Sequence, residues 1–152
     1  MIAARCRRLL PGLWAGLLLC VALIAAPAPF ATLSPADAGR VVARIFAQEA
    51  WISLGMAALL LVLGRAHKPQ ASGGQRGPTV DEQLILGSVL CTALGYFAVQ
   101  ALLPAARAGQ GALNFGQLHL LSVALFALKA SVVLVLAWRV GAPFQALNRP
   151  SS

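Results

Sequence analysis

The sequence predicts an all-α integral membrane protein, a four-transmembrane-helix bundle whose second helix is extended by an amphipathic N-terminal part. Long uncharged stretches, a shortage of charged residues and the placement of the basic residues predict this class. Hydrophobic residues make up 59% of the 152 positions and charged residues 11%, whereas soluble domains are about 25% charged. Since about 20 apolar residues cross the hydrocarbon core, we expect one membrane domain, residues 1–152, with spans at about 9–31, 45–64, 84–103 and 118–138.

The first span, 9–31, contains no charged residue and follows three arginines. A cleaved signal peptide would also start with basic residues, and Ala26-Pro27-Ala28 resembles its small-residue cleavage site. However, Pro29 would directly follow the cut, and the apolar run is longer than the core of an ordinary signal peptide. We therefore expect a retained span, with cleavage as the open alternative.

Ser34 and Asp37 predict the start of the second helix, because serine caps a first turn and aspartate places negative charge there. Arg40 and Arg44 then share one face of an amphipathic segment that precedes the apolar stretch. The simplest interpretation is one long helix that starts at the membrane surface and enters the bilayer, with 45–64 as its spanning part.

The segment from Thr79 to Glu82 has the pattern of a capping box, which predicts the start of the third span. We expect Pro104 to end that span. Residues 65–78 are rich in proline, glycine and charge, and they predict a flexible cytoplasmic linker. The fourth span, 118–138, leads into a short tail that we expect to be poorly ordered.

Lysine and arginine are distributed unevenly between the two sides of this topology. The positive-inside rule places the richer side, and with it both termini, in the cytoplasm of a protein of the cell inner membrane. The basic residues form no stripe interleaved with aromatic residues, so we expect the lipid bilayer as partner and no nucleic acid. The cytoplasmic side has eight, Arg5, Arg7, Arg8, Arg65, Lys68, Arg76, Arg139 and Arg149, and the other side has three, Arg40, Arg44 and Arg107.

Small residues recur every four positions in two of the spans. In lipid, such rows let helix backbones approach closely. We expect tight crossings along them, either within one chain or in a homo- or hetero-oligomer. The rows are Gly12, Gly16 and Cys20 in the first span, and Gly87, Cys91 and Gly95 in the third.

Lys129 is unusual because it stands near the middle of the fourth span. An ionised lysine at that depth costs at least about 3 kcal/mol. We therefore expect it to face the bundle interior and to have a partner, with Glu49, Tyr96 and Gln100 as candidates.

His119 and Ser122 lie on the same face of the fourth span as Lys129, within roughly 80° of arc. One interpretation is a polar intramembrane site for a small ligand, an ion or a proton. The other is a purely structural set of hydrogen bonds between helices, each contributing about 1 kcal/mol. The candidate site residues are Lys129, Glu49, His119, Gln100, Tyr96 and Ser122.

Catalytic motifs are missing from the sequence. His119 is the only histidine in a predicted span, so two histidines of one chain cannot hold a haem there. The cysteines form no CxxC pair, no serine has a recognisable histidine–acid arrangement, and no glycine loop has the context that phosphate binding needs. We expect a non-enzymatic protein with no cofactor and no metal.

Several blocks of the sequence together match a known pattern. They are Leu13-Trp14-Ala15-Gly16, Ala26-Pro27-Ala28-Pro29-Phe30-Ala31-Thr32-Leu33, Ala38-Gly39-Arg40, Arg44-Ile45-Phe46, Trp51, Phe115, His119 and Ser122. On these residues the chain resembles a bacterial domain-of-unknown-function family related to eukaryotic transmembrane protein 205. The resemblance extends over about Leu9 to Trp138 and implies a multi-span membrane protein without an assigned reaction. The family pattern has glycine after the histidine and asparagine one turn past the serine, where this chain has Leu120 and Phe126.

Three functions remain open at this point. The absence of catalytic motifs and the small-residue rows favour a non-enzymatic interaction or scaffold subunit of the membrane. The alternative is a transport or permeability component for a small solute, an ion or a proton, with its site around Lys129. A membrane enzyme or redox subunit is the third hypothesis, and nothing in the sequence specifically supports it.

Overall fold

The computed structural model describes residues 2–66, 77–110 and 113–141, and these residues are helical apart from short turns. The all-α prediction is confirmed, because no strand occurs in these three segments. Within the same residues, four helical segments are long and apolar enough to cross a membrane. They are Arg5–Ala31, Pro35–Arg65, Val80–Arg107 and Phe115–Gly141.

Two of the spans contain a wider, π-helical segment. The first span consists of α1, a π-helical segment and a 3₁₀ turn, and the third consists of α3, a second π-helical segment and α4. The bounds are α1 Ile2–Cys20, π-helix Val21–Ala25, 3₁₀ turn Ala28–Ala31, α2 Pro35–Ala66, α3 Val80–Thr92, π-helix Ala93–Val99, α4 Gln100–Arg107 and α5 Phe115–Gly141.

The second helix is a single helix from Pro35 to Ala66, 32 residues long, as expected. Its start is capped at Ser34, whose hydroxyl oxygen accepts a hydrogen bond from the amide of Asp37 at 3.2 Å. The Asp37 carboxylate also pairs with Arg40 one turn later. The Ser34 hydroxyl satisfies an amide that has no partner within the helix. The Asp37 carboxylate places negative charge at the positive end of the helix.

Two reciprocal side-chain caps fix the starts of α3 and α5. The predicted box at Thr79 is present, with Glu82 donating its amide to the Thr79 hydroxyl at 3.3 Å and accepting the Thr79 amide at 2.8 Å. Asn114 and Gln117 exchange equivalent bonds of 2.9 and 3.1 Å before α5. That second cap uses an amide pair in place of the common Ser/Thr and Glu, and the sequence analysis missed it.

The prediction that Pro104 ends the third span is wrong. Pro104 lies inside α4, which continues to Arg107. A proline removes one backbone hydrogen bond, and so close to the end of a helix few further bonds depend on it. The helix ends instead at a glycine cap, where Gly109 takes φ 72° and the amide of Gln110 donates to the carbonyl of Ala105 at 2.9 Å.

The helices form a ring in the order α1, α5, α3, α2, so that α1 and α3 are diagonally opposed, as are α2 and α5. A buried apolar cluster fills the centre. The outward surface carries large apolar side chains, among them Leu120 at 70% and Trp138 at 82% exposure. This is the pattern of a bundle whose sides face lipid. The buried cluster consists of Trp14, Ala15, Leu18, Ala57, Leu60, Ile85, Val133 and Leu136.

Only one glycine of the two predicted rows has a neighbouring helix within van der Waals contact of its Cβ position. A Cβ atom added at Gly95 would lie 3.5 Å from the Cβ of Leu125 in α5. At Gly12, Gly16 and Gly87 no atom lies within 4 Å of that position. The predicted linker falls largely on 67–76, and the predicted tail on 142–152, which lie outside the described residues.

Replacing Gly95 with leucine is expected to lower the unfolding temperature in detergent, because the new side chain must displace Leu125. Overpacking of this kind costs about 1–3 kcal/mol. Gly87→Leu is the matched control, since its position on α3 is open. Equal unfolding temperatures for the two variants in scanning fluorimetry would contradict the packing described at Gly95.

Candidate functional site: a buried ion pair and its cavity

A buried ion pair joins α2 and α5 across the middle of the bundle. The Nζ atom of Lys129 lies 2.8 Å from each carboxylate oxygen of Glu49. Both residues are only 3% exposed. Lys129 has thus found the first of its three expected partners, and the contact is made between two diagonally opposed helices.

The pair continues into α1 through two hydrogen bonds. The Ser53 hydroxyl, one turn beyond Glu49 on α2, donates to the same carboxylate. The indole Nε1 of Trp14 in turn donates to the Ser53 oxygen at 2.9 Å. A single polar network therefore connects three of the spans, and each member has its hydrogen-bonding group satisfied, as buried polar groups require.

Trp14 was missed as a member of this network. Its apolar ring suits a span, and only the indole N–H requires a partner when buried. The i, i+4 spacing of Glu49 and Ser53 was a usable signal for a shared face. Nothing in the sequence indicated which side of the first span faces that pair.

Two phenylalanines cover the ion pair on the side away from Trp14. The Nζ of Lys129 lies 5.0 Å from the ring centre of Phe126, a distance at which an ammonium group is attracted by an aromatic face. Phe46 meets Phe126 edge to face, with ring centres 5.2 Å apart. These rings reduce the exposure of the pair but leave an opening toward the third span.

That opening is a cavity of about 30 Å³, partly open to the outside of the bundle. It is large enough for a water molecule. The second π-helical segment forms one wall through Gly95 and Tyr96, and π-helical turns often occur at functional sites. The polar residues that line the cavity are Glu49, Cys91, Thr92, Tyr96, Gln100, Ser122 and Lys129.

Three of the polar lining groups are not committed to the protein. The Thr92 hydroxyl donates to the carbonyl of Ser88 at 2.9 Å. For the side chains of Tyr96, Gln100 and Ser122, no hydrogen bond to another described residue occurs, and none of them is fully buried. Their polar atoms are therefore at least partly accessible, and all three side chains contribute to the lining of the cavity.

Five of the six predicted site residues line this cavity, and His119 does not. His119 lies one turn beyond Ser122 on α5, where its ring is exposed and stacks on Phe115 at 5.8 Å. The guanidinium carbon of Arg107 in turn lies over the Phe115 ring, 4.8 Å from the ring centre. The preceding residue, Leu118, is only 3% exposed, so the inward face of α5 at this height passes through Leu118, and His119 lies on the exposed side.

In the described part of the chain, no three His, Cys, Asp or Glu side chains lie close enough together to hold a metal ion. The site therefore consists of a charged pair, a hydroxyl, an indole and a small polar cavity. Such a set can hold water, exchange a proton or bind a small polar group.

Helices of spanning length, lateral surfaces rich in apolar side chains and a charged pair held in the interior define a multi-pass membrane protein. The chain belongs to the family described as Domain of unknown function (DUF4149), whose model matches residues 9–112. That range includes Glu49, Tyr96 and Gln100 and ends before α5, so Lys129 lies outside it. A search of curated proteins and a search of solved structures found no match.

Removing one member of the ion pair is expected to be more damaging than removing both. Lys129→Met leaves the Glu49 carboxylate buried without its cation, which costs about 3–5 kcal/mol. Glu49→Gln leaves the Lys129 ammonium group buried without its anion and is also destabilising. The double variant leaves no buried charge and should regain most of the lost stability.

Unfolding of the two single variants and the double variant in detergent measures this coupling. Arg139→Gln is the control, because its pair with Asp81 at 3.2 Å is partly exposed and contributes at most about 1 kcal/mol. Additive losses for Lys129→Met and Glu49→Gln would contradict a direct buried pair.

Proposed function

We propose that this chain is a non-enzymatic transport or permeability component of the cell inner membrane, with the site around Lys129 as the place where a small polar solute, an ion or a proton is held. The observation that carries the proposal is the cavity at the ion pair. A hydrocarbon environment offers no hydrogen bonds, so Tyr96, Gln100 and Ser122 need a polar occupant. A purely structural pair would be complete with the bonds that Lys129 and Ser53 make to Glu49.

The ion pair is also a suitable coupling element. Glu49 is on α2 and Lys129 on α5, so any species that competes for one of them changes the attraction between two helices. Coulomb interactions at such short distances are strong in a medium that excludes water. Binding at the site and helix position are therefore linked in this proposal.

The orientation follows from charge. Eight basic residues lie on the side that would face the cytoplasm and three on the other, and this asymmetry supports cytoplasmic termini. In this orientation the cavity lies in the outer half of the bilayer, since it extends from Lys129 toward Ser122 and Gln100.

Purified protein in liposomes is expected to dissipate an imposed pH gradient, or a gradient of sodium, potassium or glycine, at least fivefold faster than empty liposomes. The Glu49→Gln/Lys129→Met variant should fall to the empty-liposome rate, because it loses both charges at the site. Asp37→Asn/Arg40→Gln removes an exposed pair that does not line the cavity and should behave like the unmodified chain. Flux at the empty-liposome rate for all four probes would contradict the proposal.

A second function, that of an interaction or scaffold subunit, is favoured by the outward face of α1. Gly12, Gly16 and Cys20 are exposed, and no atom lies within 4 Å of a Cβ position at either glycine. Small residues on a lipid-facing side allow another transmembrane helix to approach closely. We propose this face as the contact for a homo- or hetero-oligomer.

Cysteine cross-linking tests that contact in membranes. In a Cys6→Ala/Cys91→Ala background, oxidation is expected to join copies through Cys20, and Gly16→Leu should reduce the cross-linked fraction at least threefold. Ala124→Leu, on an exposed position of α5, is the matched control. A chain that forms no Cys20 cross-link and always purifies alone as a monomer would contradict an interaction role.

We also propose that the relation to eukaryotic transmembrane protein 205 is genuine. It is supported by the blocks at Leu13–Gly16 and Ala26–Leu33, which lie within the range matched by the family model.

A further inference from the structure

A second cavity, of about 230 Å³, lies at the end of the bundle where α1 and α3 begin and α2 and α5 end. All four helices contribute to it. Its rim is polar and carries both signs of charge, with Arg7 on α1 and Asp81 and Glu82 on α3. Its floor is apolar and consists of Leu60, Ile85 and Leu136. Because the ends of all four helices surround it, the cavity lies on the central axis of the ring.

The two cavities share the same helix faces. On α5 the lining residues of both cavities and the buried residue between them are three or four positions apart, which is the spacing of one helix face. The same spacing recurs on α2, so each helix presents one continuous stripe to the axis. The stripes are Ser122, Phe126, Lys129, Val133, Leu136 and Val140 on α5, and Phe46, Glu49, Ser53, Ala57, Leu60 and Gly64 on α2.

A fully buried and mostly apolar layer separates the cavities; its polar member on α3 is Ser88, whose hydroxyl donates to the carbonyl of Ile85. Trp14, Leu18, Ala57 and Val133 form its apolar part, and each is at most 1% exposed. Leu136 lies seven residues beyond Lys129 on α5, which is about 10 Å along the helix at 1.5 Å per residue. The ion pair therefore lies directly on the outer side of a plug that is about two helical turns thick.

We propose that the central axis of this bundle is a proton path, hydrated from both ends and closed in this structure by the plug of Trp14, Leu18, Ala57 and Val133. The inference rests on the proposed transport function and names its solute. The cavity beside the ion pair, here called the outer cavity, admits water but nothing much larger. This size excludes most dissolved molecules. A metal cation would have to shed its water to enter, whereas a proton moves between water and a carboxylate without such a step.

The chemistry requires only groups already at the site. A hydronium ion in the outer cavity transfers its proton to Glu49, so that one O–H bond breaks in the hydronium ion, another forms on the carboxyl group, and a water molecule remains. The protonated Glu49 side chain is neutral, so it no longer attracts the Lys129 ammonium group, and α5 is free to shift relative to α2. When water reaches Glu49 from the inner side, the carboxyl group returns the proton to it and pairs with Lys129 again. Cys91 and Tyr96 are the other titratable side chains that face this space.

The first arm of the test measures access to each cavity. Single-cysteine chains would be treated in sealed vesicles with a membrane-impermeant thiol reagent. Ser122→Cys, at a partly exposed position in the lining of the outer cavity, is expected to react at least tenfold faster from the outer side, and Leu136→Cys at least tenfold faster from the inner side. A cysteine at Val133 should react from neither side. The closed path is contradicted if the reagent reaches either cavity equally fast from both sides. It is also contradicted if a cysteine at Val133 reacts rapidly.

The second arm opens the plug. In liposomes with an internal pH dye, Val133→Ser is expected to increase proton flux at least tenfold over the unmodified chain, and adding Glu49→Gln should remove that increase. Val135→Ser is the matched control, because Val135 lies on the exposed side of α5 at 49% exposure. Val133→Ala provides a milder variant for the case in which the serine variant does not fold.

The two proposals fail in different ways. A tenfold increase for Val133→Ser with no flux through the unmodified chain supports the path and contradicts the transport function. Flux through the unmodified chain that no plug variant increases supports the function and overturns the path. An increase that survives Glu49→Gln overturns the role of that carboxylate as the proton carrier.

Discussion

The bundle depends on one electrostatic constraint, which is that Lys129 cannot stand in the middle of a membrane span without a counter-charge. Placing the ammonium group there alone costs about 3 kcal/mol or more. The Glu49 carboxylate at 2.8 Å offsets that cost only when α2 and α5 approach each other across the ring. The pair thereby selects which face of each helix turns inward.

The rest of the interior is arranged around this pair. Toward the end of the bundle where α2 and α5 end, the network runs through Ser53 to Trp14 and ends in closely packed apolar side chains. Toward the opposite end, it meets a cavity with polar walls and the wider backbone of the π-helical segment 93–99. The site is thus asymmetric, with closely packed apolar side chains on one side of the ion pair and a small polar cavity on the other. Such asymmetry is what a membrane protein needs if access to a buried charge is to be controlled from one side at a time.

Much of the fold could be predicted from the sequence because it depends on local or one-dimensional signals. Helices of spanning length, the capping box at Thr79 and the central position of Lys129 in its helix are all of this kind, and the structure agrees with each. The partner of Lys129 was narrowed to three residues, since few polar side chains occur at a suitable depth. Choosing Glu49 from that set required knowing that α2 and α5 face each other diagonally.

The features that sequence reasoning missed depend on three-dimensional placement. Pro104 was expected to end a span, yet so close to the end of α4 its missing hydrogen bond disrupts little. His119 was expected on the inward face of α5, which at that height passes through Leu118 instead. Trp14 joins the network only because of the rotation of α1, and the cavity of about 230 Å³ exists only because four helix ends meet around it.

The most direct measurement of the central claim is a dipolar recoupling experiment by solid-state NMR on the chain in lipid bilayers. With ¹⁵N at lysine Nζ and ¹³C at the glutamate carboxylate, the sequence offers only two lysines and two glutamates, so Lys68→Arg leaves a single lysine signal. Strong recoupling between Lys129 and Glu49, lost in Glu49→Gln, is the result expected for a pair in direct contact. Absent recoupling, or recoupling that persists in Glu49→Gln, would show that the two charges do not meet and that the interior is organised in another way.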